Sequence, residues 1–266
     1  MNKHISLLFL FVLGISTALF AQSPYAVHWK KEIPYIATAV GLNLGGIYLV
    51  AQVDDLTPLQ IMELDANRVN SFDRFATKNF SSSFANASNV LEIGTQLAPF
   101  LFISGKKTRK HFVQIMALYA EATFINTGLT IVTKMSFRRT RPFVYNPDVP
   151  LEDKSGRTAR TSFISGHTST AAVGTFFAAK VFSDFCPDSK WKPVVWGAAI
   201  TIPAVMGYFR VAAGKHFPTD VMAGYLVGGA VGFLVPHLHR KKKVEDPKVG
   251  LNIGFNSAQL VYRFGK

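Results

Sequence analysis

Apolar residues in this chain come in long blocks, unlike the alternation of a half-buried strand or the one-sided stripe of a soluble helix. Runs cover 33–53, 87–104, 112–133, 169–186, 194–211 and 221–236. Most approach the roughly 20 residues that a helix needs to cross a bilayer. Glu92, Glu121 and Asn126 dilute individual runs without changing the pattern. It predicts an all-α fold, a helical bundle of about six mostly transmembrane helices. Ahead of it, Lys3, an apolar stretch over 5–20 and a small residue before Gln22-Ser23 read as an export signal over 1–21. The chain then divides into an N-terminal apolar helix with a polar, extracytoplasmic amphipathic region (22–86), a helical core (87–240) and a basic flank with a short tail (241–266). The tail alternates loosely and reads as strand-like. Gly224, Gly228 and Gly232 leave one face of the last run without side chains, which predicts close helix packing.

Composition agrees with a lipid-facing surface. Charged residues are 17% of the chain, against about 25% in soluble domains. The net charge of +13 would suggest nucleic acid in a soluble protein, but its cations cluster at Lys30-Lys31, at Lys106-Lys107 with Arg109-Lys110, and from Arg240 to Lys243, where they flank apolar runs. With all three clusters cytoplasmic, the positive-inside rule threads the chain consistently and leaves the connections after the first, third and fifth runs outside. No nucleic-acid partner is expected. A cleaved signal would leave the mature N-terminus outside, so either 33–53 does not cross or 5–21 remains as a seventh span; the reading adopted is an export signal, with 33–53 the span that gives way. Cys186 is the single cysteine, so no intrachain disulfide is possible, and a packing role is expected for it. Glu121 and the Lys180/Asp184 pair read as buried structural partners. His111, His237 and His239 read as flank or surface residues, and Arg138, Arg139, Lys154, Arg157, Arg160 and Lys215 as additional cations near the outer face.

Three short segments on that face carry chemistry. Lys134 and Arg141 stand seven residues apart before Pro142, two helical turns, so both cations are expected on one helix face. Ser165-Gly166-His167 precedes Thr168, Ser169 and an apolar run, as a loop does on entering a helix whose free N–H groups can hold phosphate oxygens. Arg210 closes an apolar run and is followed by His216 and, four residues on, Asp220, a spacing that lets a carboxylate steer an imidazole.

Lys134-x6-Arg141-Pro142, Ser165-Gly166-His167 and Arg210-x5-His216-x3-Asp220 resemble, in order and in their gaps of 22 and 42 residues, the three signature motifs of the type 2 phosphatidic acid phosphatase (PAP2) superfamily, as in a bacterial membrane-associated member. Bacterial acid phosphatases and vanadium-dependent haloperoxidases share that fold. The resemblance covers roughly 90–239. Ile164 stands where the second motif usually has Pro, and Phe209 where the third usually has Ser; neither ionises, so they bear on loop rigidity and pocket polarity more than on the reaction.

Hydrolysis of a phosphate ester needs an in-line nucleophile, neutralisation of the equatorial oxygens and a proton for the leaving oxygen. The expected nucleophile is His216, with Asp220 fixing its tautomer, and His167 is the expected general acid. Lys134, Arg141 and Arg210, with the Ser165 hydroxyl and the Gly166 N–H, are the expected phosphate cradle. These roles agree with what the resemblance implies. No metal or other cofactor is expected, because the His and carboxylate spacings match no zinc or magnesium site. The function expected is hydrolysis of an amphiphilic lipid phosphate, an isoprenyl diphosphate, phosphatidic acid, phosphatidylglycerol phosphate or a lipid A phosphate, through a phosphohistidine. It would take place in a multi-pass protein of the bacterial inner membrane with the site on the periplasmic side. The alternatives are a soluble secreted acid phosphatase, a vanadate-dependent haloperoxidase, and a non-catalytic membrane scaffold with a decayed site.

Overall fold

The computed structural model describes residues 23–241, 249–254 and 257–262; the segment read as an export signal lies outside them. Six long helices make up the body: α1 (Trp29–Val50), α2 (Ser82–Leu97), α3 (Phe112–Phe137), α4 (Gly166–Phe185), α5 (Lys192–Ala212) and α6 (Pro218–Leu238). The tail forms an antiparallel hairpin of β1 (Val249–Gly254) and β2 (Ser257–Tyr262), in line with its alternation.

The helices run alternately up and down. α1 and α3 are parallel: the Asn43 amide donates to the Phe124 carbonyl at 2.9 Å, and Gly128 lies against Leu42 and Asn43. α4 and α6 are likewise parallel, pressed together along the glycine stripe. A Cβ on Gly224, Gly228 or Gly232 would lie 2.4, 2.0 or 2.6 Å from the carbonyl oxygens of Ser165, Ser169 and Val173, so only glycine permits this approach. α4 is the central helix, most of its residues buried, and Val173, Phe177, Val181 and Phe185 join Ile115, Leu118 and Tyr119 of α3 in the main core.

Four of the six helices, α1, α3, α5 and α6, are long and apolar enough to cross a membrane, where the sequence suggested six. α2 has only 16 residues and carries Asn86, Asn89 and Glu92, while α4 carries Ser, Thr, Lys180 and Asp184 inside a sheath of neighbours. α1, the run expected to give way, is among the four. Its Ile33, Ile36, Val40, Leu44 and Ile47 are exposed, as a lipid-facing surface requires.

The bundle therefore has two chemically distinct ends. The starts of α1 and α3 and the end of α6 share one of them, joined where Ala26 N–H donates to His239 and Lys241 N–H to Pro24, both at 2.8 Å. There Asp184 takes Lys180, the Tyr25 hydroxyl at 2.9 Å and Arg240 at 3.5 Å, so the Lys180/Asp184 pair is structural as expected. His111 and His239, read as flank residues, are instead buried: His111 packs on Phe185, and His239 Nε2 lies 3.1 Å from Glu32 and 3.6 Å from Glu121. The other end gathers the connections 51–81, 138–165 and 213–217. The first, expected as an extracytoplasmic amphipathic region, is a series of short helical turns, from Pro58–Met62 to Phe75–Lys78, folded over that end.

Candidate active site

The three motifs meet at this second end, though not all by the local geometry their spacing suggests. α3 stops at Phe137, because Arg138 takes a left-handed conformation (φ 47°) and Arg141 is extended before Pro142. Lys134 and Arg141 thus do not share a helix face. They converge on Thr161 instead: Lys134 Nζ donates to its carbonyl at 2.8 Å, and Arg141 Nη2 to its hydroxyl at 3.2 Å.

Ser165 caps α4, its Oγ accepting the Thr168 N–H and pairing with the Thr168 hydroxyl at 2.9 Å, so this hydroxyl is committed to the helix rather than free for phosphate. Gly166 opens the helix beside Lys134, whose Cε would lie in ordinary contact, 3.6 Å, from a Cβ there. His167 projects towards α2, where Nε2 meets Asn89 Oδ1 at 2.9 Å and Glu92 Oε2 at 3.2 Å. Neither partner belongs to a motif.

In the third motif, Pro218 opens α6, so His216 lies outside the helix and the four-residue spacing is not a helical one. His216 Nδ1 donates to the Ser162 carbonyl at 2.7 Å, whereas the nearest Asp220 oxygen is 3.8 Å away. The Ser162 carbonyl thus fixes the tautomer and leaves a lone pair on Nε2. Asp220 acts one step removed, accepting the Ser162 hydroxyl at 2.5 Å and the Phe217 N–H at 2.8 Å.

Asp220 is also half of a clamp that the motifs do not contain. Arg139 donates Nη1 to Asp220 at 2.5 Å and Nη2 to Asp73 at 2.7 Å, and its guanidinium lies 4.1 Å over the Phe217 ring. Both carboxylates are fully buried. Asp73 further accepts the Thr219 hydroxyl at 2.6 Å, the Thr219 N–H at 3.0 Å and the Asn70 amide at 2.8 Å. Arg139 is therefore a structural bridge rather than a solvated loop cation. Burial would raise the Asp73 carboxyl, but the bonds from Arg139, Thr219 and Asn70 outweigh it and hold the group below its ordinary value. Lys215 is similarly engaged, over the Phe143 ring at 4.5 Å.

Three cations thus surround two imidazoles. Burial, and then Arg210, Arg141 and Lys134, push His167 down to about 3. Burial and the same three charges hold His216 well below its ordinary value, against the opposing effect of its bond to Ser162. Arg210 Nη1 donates to the Ser88 hydroxyl at 3.0 Å, but its Nε and that of Arg141 are buried without a partner. Buried donors left unsatisfied beside concentrated positive charge are what an anion with several acceptor oxygens would complete. Ile164 is buried, and Phe209 packs on Phe84 of α2 at 5.6 Å. Among the described residues, a grouping with metal-ligand proximity is Glu32, Glu121 and His239, at the opposite end of the bundle. Its members come from α1, α3 and the residue that follows α6, a meeting that sequence spacing cannot reveal.

Residues 115–243 match the family model described as PAP2 superfamily. An undecaprenyl-diphosphatase of Sulfolobus acidocaldarius is 30% identical over 150 residues, 55% of this chain and 65% of that protein. A lipid A 1-phosphatase of Rhizobium etli is 33% identical over 132 residues, 46% of this chain and 50% of that protein. A lipid A 1-phosphatase of Porphyromonas gingivalis is 29% identical over 158 residues, 59% of this chain and 31% of that protein. The chain thus spans less than two thirds of each of these relatives. Among solved structures, a transmembrane PAP2 type phosphatidylglycerolphosphate phosphatase from Bacillus subtilis is 22% identical, with a TM-score of 0.39 over 90% of this chain and 96% of that one.

Proposed function

The chain belongs to the PAP2 superfamily through residues 115–243, and from that premise we propose that it is a membrane phosphatase that removes phosphate from a lipid phosphomonoester or diphosphate. The observation that carries this reading is the convergence of Lys134, Arg141 and Arg210 on two imidazoles, with the Nε donors of both arginines unpartnered.

The phosphoryl group sits among the three cations, which neutralise its equatorial oxygens. His216 Nε2 attacks phosphorus and forms a phosphohistidine while the bond to the leaving oxygen breaks. His167, partly exposed where His216 is buried, gives that oxygen a proton. Held low by burial and the three cations, His167 is ordinarily neutral, so the proton arrives with the substrate, whose negative charge offsets those cations. In the second step His167 takes a proton from water, the oxygen of that water attacks phosphorus, and the bond to His216 breaks to release phosphate. Asp220 and the Ser162 carbonyl keep Nδ1 protonated throughout, so that Nε2 is the reacting atom.

A lipid substrate is supported by the four helices long and apolar enough to span and by the relatives, whose names refer to undecaprenyl diphosphate and lipid A. The basic clusters around Lys30, Lys106 to Lys110 and Arg240 share the end opposite the site, which supports a multi-pass protein of the bacterial inner membrane with its chemistry on the periplasmic side. The decisive experiment is phosphate release by detergent-purified protein in excess EDTA, on undecaprenyl diphosphate, lipid A, phosphatidic acid, phosphatidylglycerol phosphate and an aryl phosphate, beside His216→Ala. The expected result is lipid-selective turnover that survives EDTA and is lost in the variant. Loss in EDTA with recovery on magnesium, or turnover unchanged by His216→Ala, overturns the reading.

A further inference from the structure

At the end of the bundle away from the motifs, a cavity of about 600 Å3 opens between the end of α2, α4 and α5. It exists because small residues face one another: Ala178 on α4 and Ala198 and Ala199 on α5 leave a gap, while after Leu97 the chain tightens into the turn Ala98–Ile103, which supplies Leu101 and Phe102 to the opposite wall. Phe182, Val194 and Ile202 complete an apolar lining. The wall's hydroxyls are already committed: Thr108 and Ser104 donate to the Phe102 and Leu101 carbonyls at 2.5 and 2.7 Å, and Thr175 to those of Ala171 and Ala199 at 3.0 and 3.1 Å. A polar ligand would therefore leave its own hydrogen-bonding groups unsatisfied inside. The charged side chains of the lining are Lys106 and Lys107, both exposed, and no acid lines the space. Trp191, exposed just before α5, is the residue type that sits at the level of lipid head groups.

We propose that this cavity binds an anionic glycerophospholipid, one acyl chain entering between α2, α4 and α5 and the phosphate resting against Lys106 and Lys107. Its volume lies within the roughly 300–1,000 Å3 of small-molecule sites. Charge complementarity selects the head group, since both rim charges are cationic and a zwitterionic lipid would bring a quaternary amine to the same place. The inference rests on the membrane location of the chain and not on the phosphatase reading. It concerns a second lipid site, across the bundle from the motifs.

The test uses phosphatidylglycerol and phosphatidylcholine, both phosphodiesters and so outside the proposed hydrolysis. The full chain, purified in a neutral detergent, is titrated with each lipid while its melting temperature is followed, and lipid retention is read by native mass spectrometry. Phosphatidylglycerol is expected to raise the melting temperature by about 5 °C more than phosphatidylcholine, the size of effect that saturating a specific site gives. Lys106→Glu with Lys107→Glu is expected to abolish that difference, and Ala198→Trp, which fills the gap from an exposed helix position, to abolish retention of the lipid. All these variants should hydrolyse their substrate at the wild-type rate. Equal shifts from the two lipids, or a phosphatidylglycerol advantage that survives both sets of substitutions, overturns the proposal.

Discussion

Replacing Asp73 by Asn tests whether a residue far outside the three motifs holds the candidate site together. The buried carboxylate accepts four hydrogen bonds, from Arg139, from the Thr219 hydroxyl and N–H, and from Asn70. Asn keeps one acceptor and turns the other oxygen into a donor, which must face Arg139 or Thr219. Removing one partner of a buried ion pair costs about 3–5 kcal/mol, and the oxygen that Asn retains argues for the lower end, about 3 kcal/mol. At about 2–4 °C per kcal/mol for a domain of this size, Asp73→Asn should melt about 6–12 °C below wild type. Arg139 would then keep only Asp220 as an ionic partner, beside the Thr219 hydroxyl at 2.8 Å, and Asp220 orients the Ser162 group that fixes His216. A fall in kcat of about tenfold with KM unchanged is expected, the pattern of an interaction used in the transition state. Arg139→Gln should behave similarly, and the double variant should be less destabilised than the two singles combined by at least about 1.5 kcal/mol. Melting curves and steady-state hydrolysis on the four proteins suffice. Additive losses, or Asp73→Asn melting within about 2 °C of wild type with unchanged kcat, would refute the clamp, because a 3 kcal/mol loss corresponds to several times that shift.

Glu92→Gln removes the carboxylate 3.2 Å from His167 Nε2; the imidazolium loses a partner, so the alkaline limb of kcat should move about one pH unit lower, and an unmoved limb would remove Glu92 from the reaction. Because His167 and His216 are held below the ordinary histidine value of 6.5, the unfolded chain binds more protons than the folded one below that pH. Stability should therefore fall as pH drops from about 6.5 towards 4, and inorganic phosphate, by offsetting the cations, should reduce the fall; a melting temperature flat over that range contradicts the electrostatics. Gly228→Ala sets a methyl 2.0 Å from the Ser169 carbonyl oxygen; a loss of at least about 3 kcal/mol is expected from forcing α6 off α4, and a thermal scan showing less than about 5 °C would mean that the two helices separate easily.

The parts of this structure legible in the sequence are those whose causes are local. Ser165 before Gly166 announces a helix start because the capping hydroxyl is three residues from the N–H group it serves. The four-residue glycine spacing announces one face of one helix, and the structure brings that face onto α4. Where a spacing was read as helical across a break, it failed. Arg138 ends α3 before Arg141, and Pro218 begins α6 after His216, so the partners became Thr161 and the Ser162 carbonyl instead of a neighbour on the same helix. Asp73, Asn89, Glu92 and Ser88 had no signal, since each acquires its role only from a tertiary contact with a residue at least 66 positions away. Apolar runs outnumber the four helices long and apolar enough to span for a related reason. Apolar runs record burial in protein and in lipid alike, and α4, the most enclosed helix, is sheathed by its neighbours.

The chain enters and leaves the bundle at one spot: Tyr25 pairs with Arg240, and Lys241 N–H reaches the Pro24 carbonyl at 2.8 Å. A short linker from Lys241 to Ser23 would close the polypeptide into a ring without disturbing a helix. New termini could then be cut between Pro187 and Lys190, in the connection from α4 to α5 at the end remote from the motifs. The six helices would keep their neighbours while their order along the chain changed, and the third motif would precede the first. Such a rewired protein makes the order of the motifs, by which the site is recognised in sequence, separable from their meeting in space.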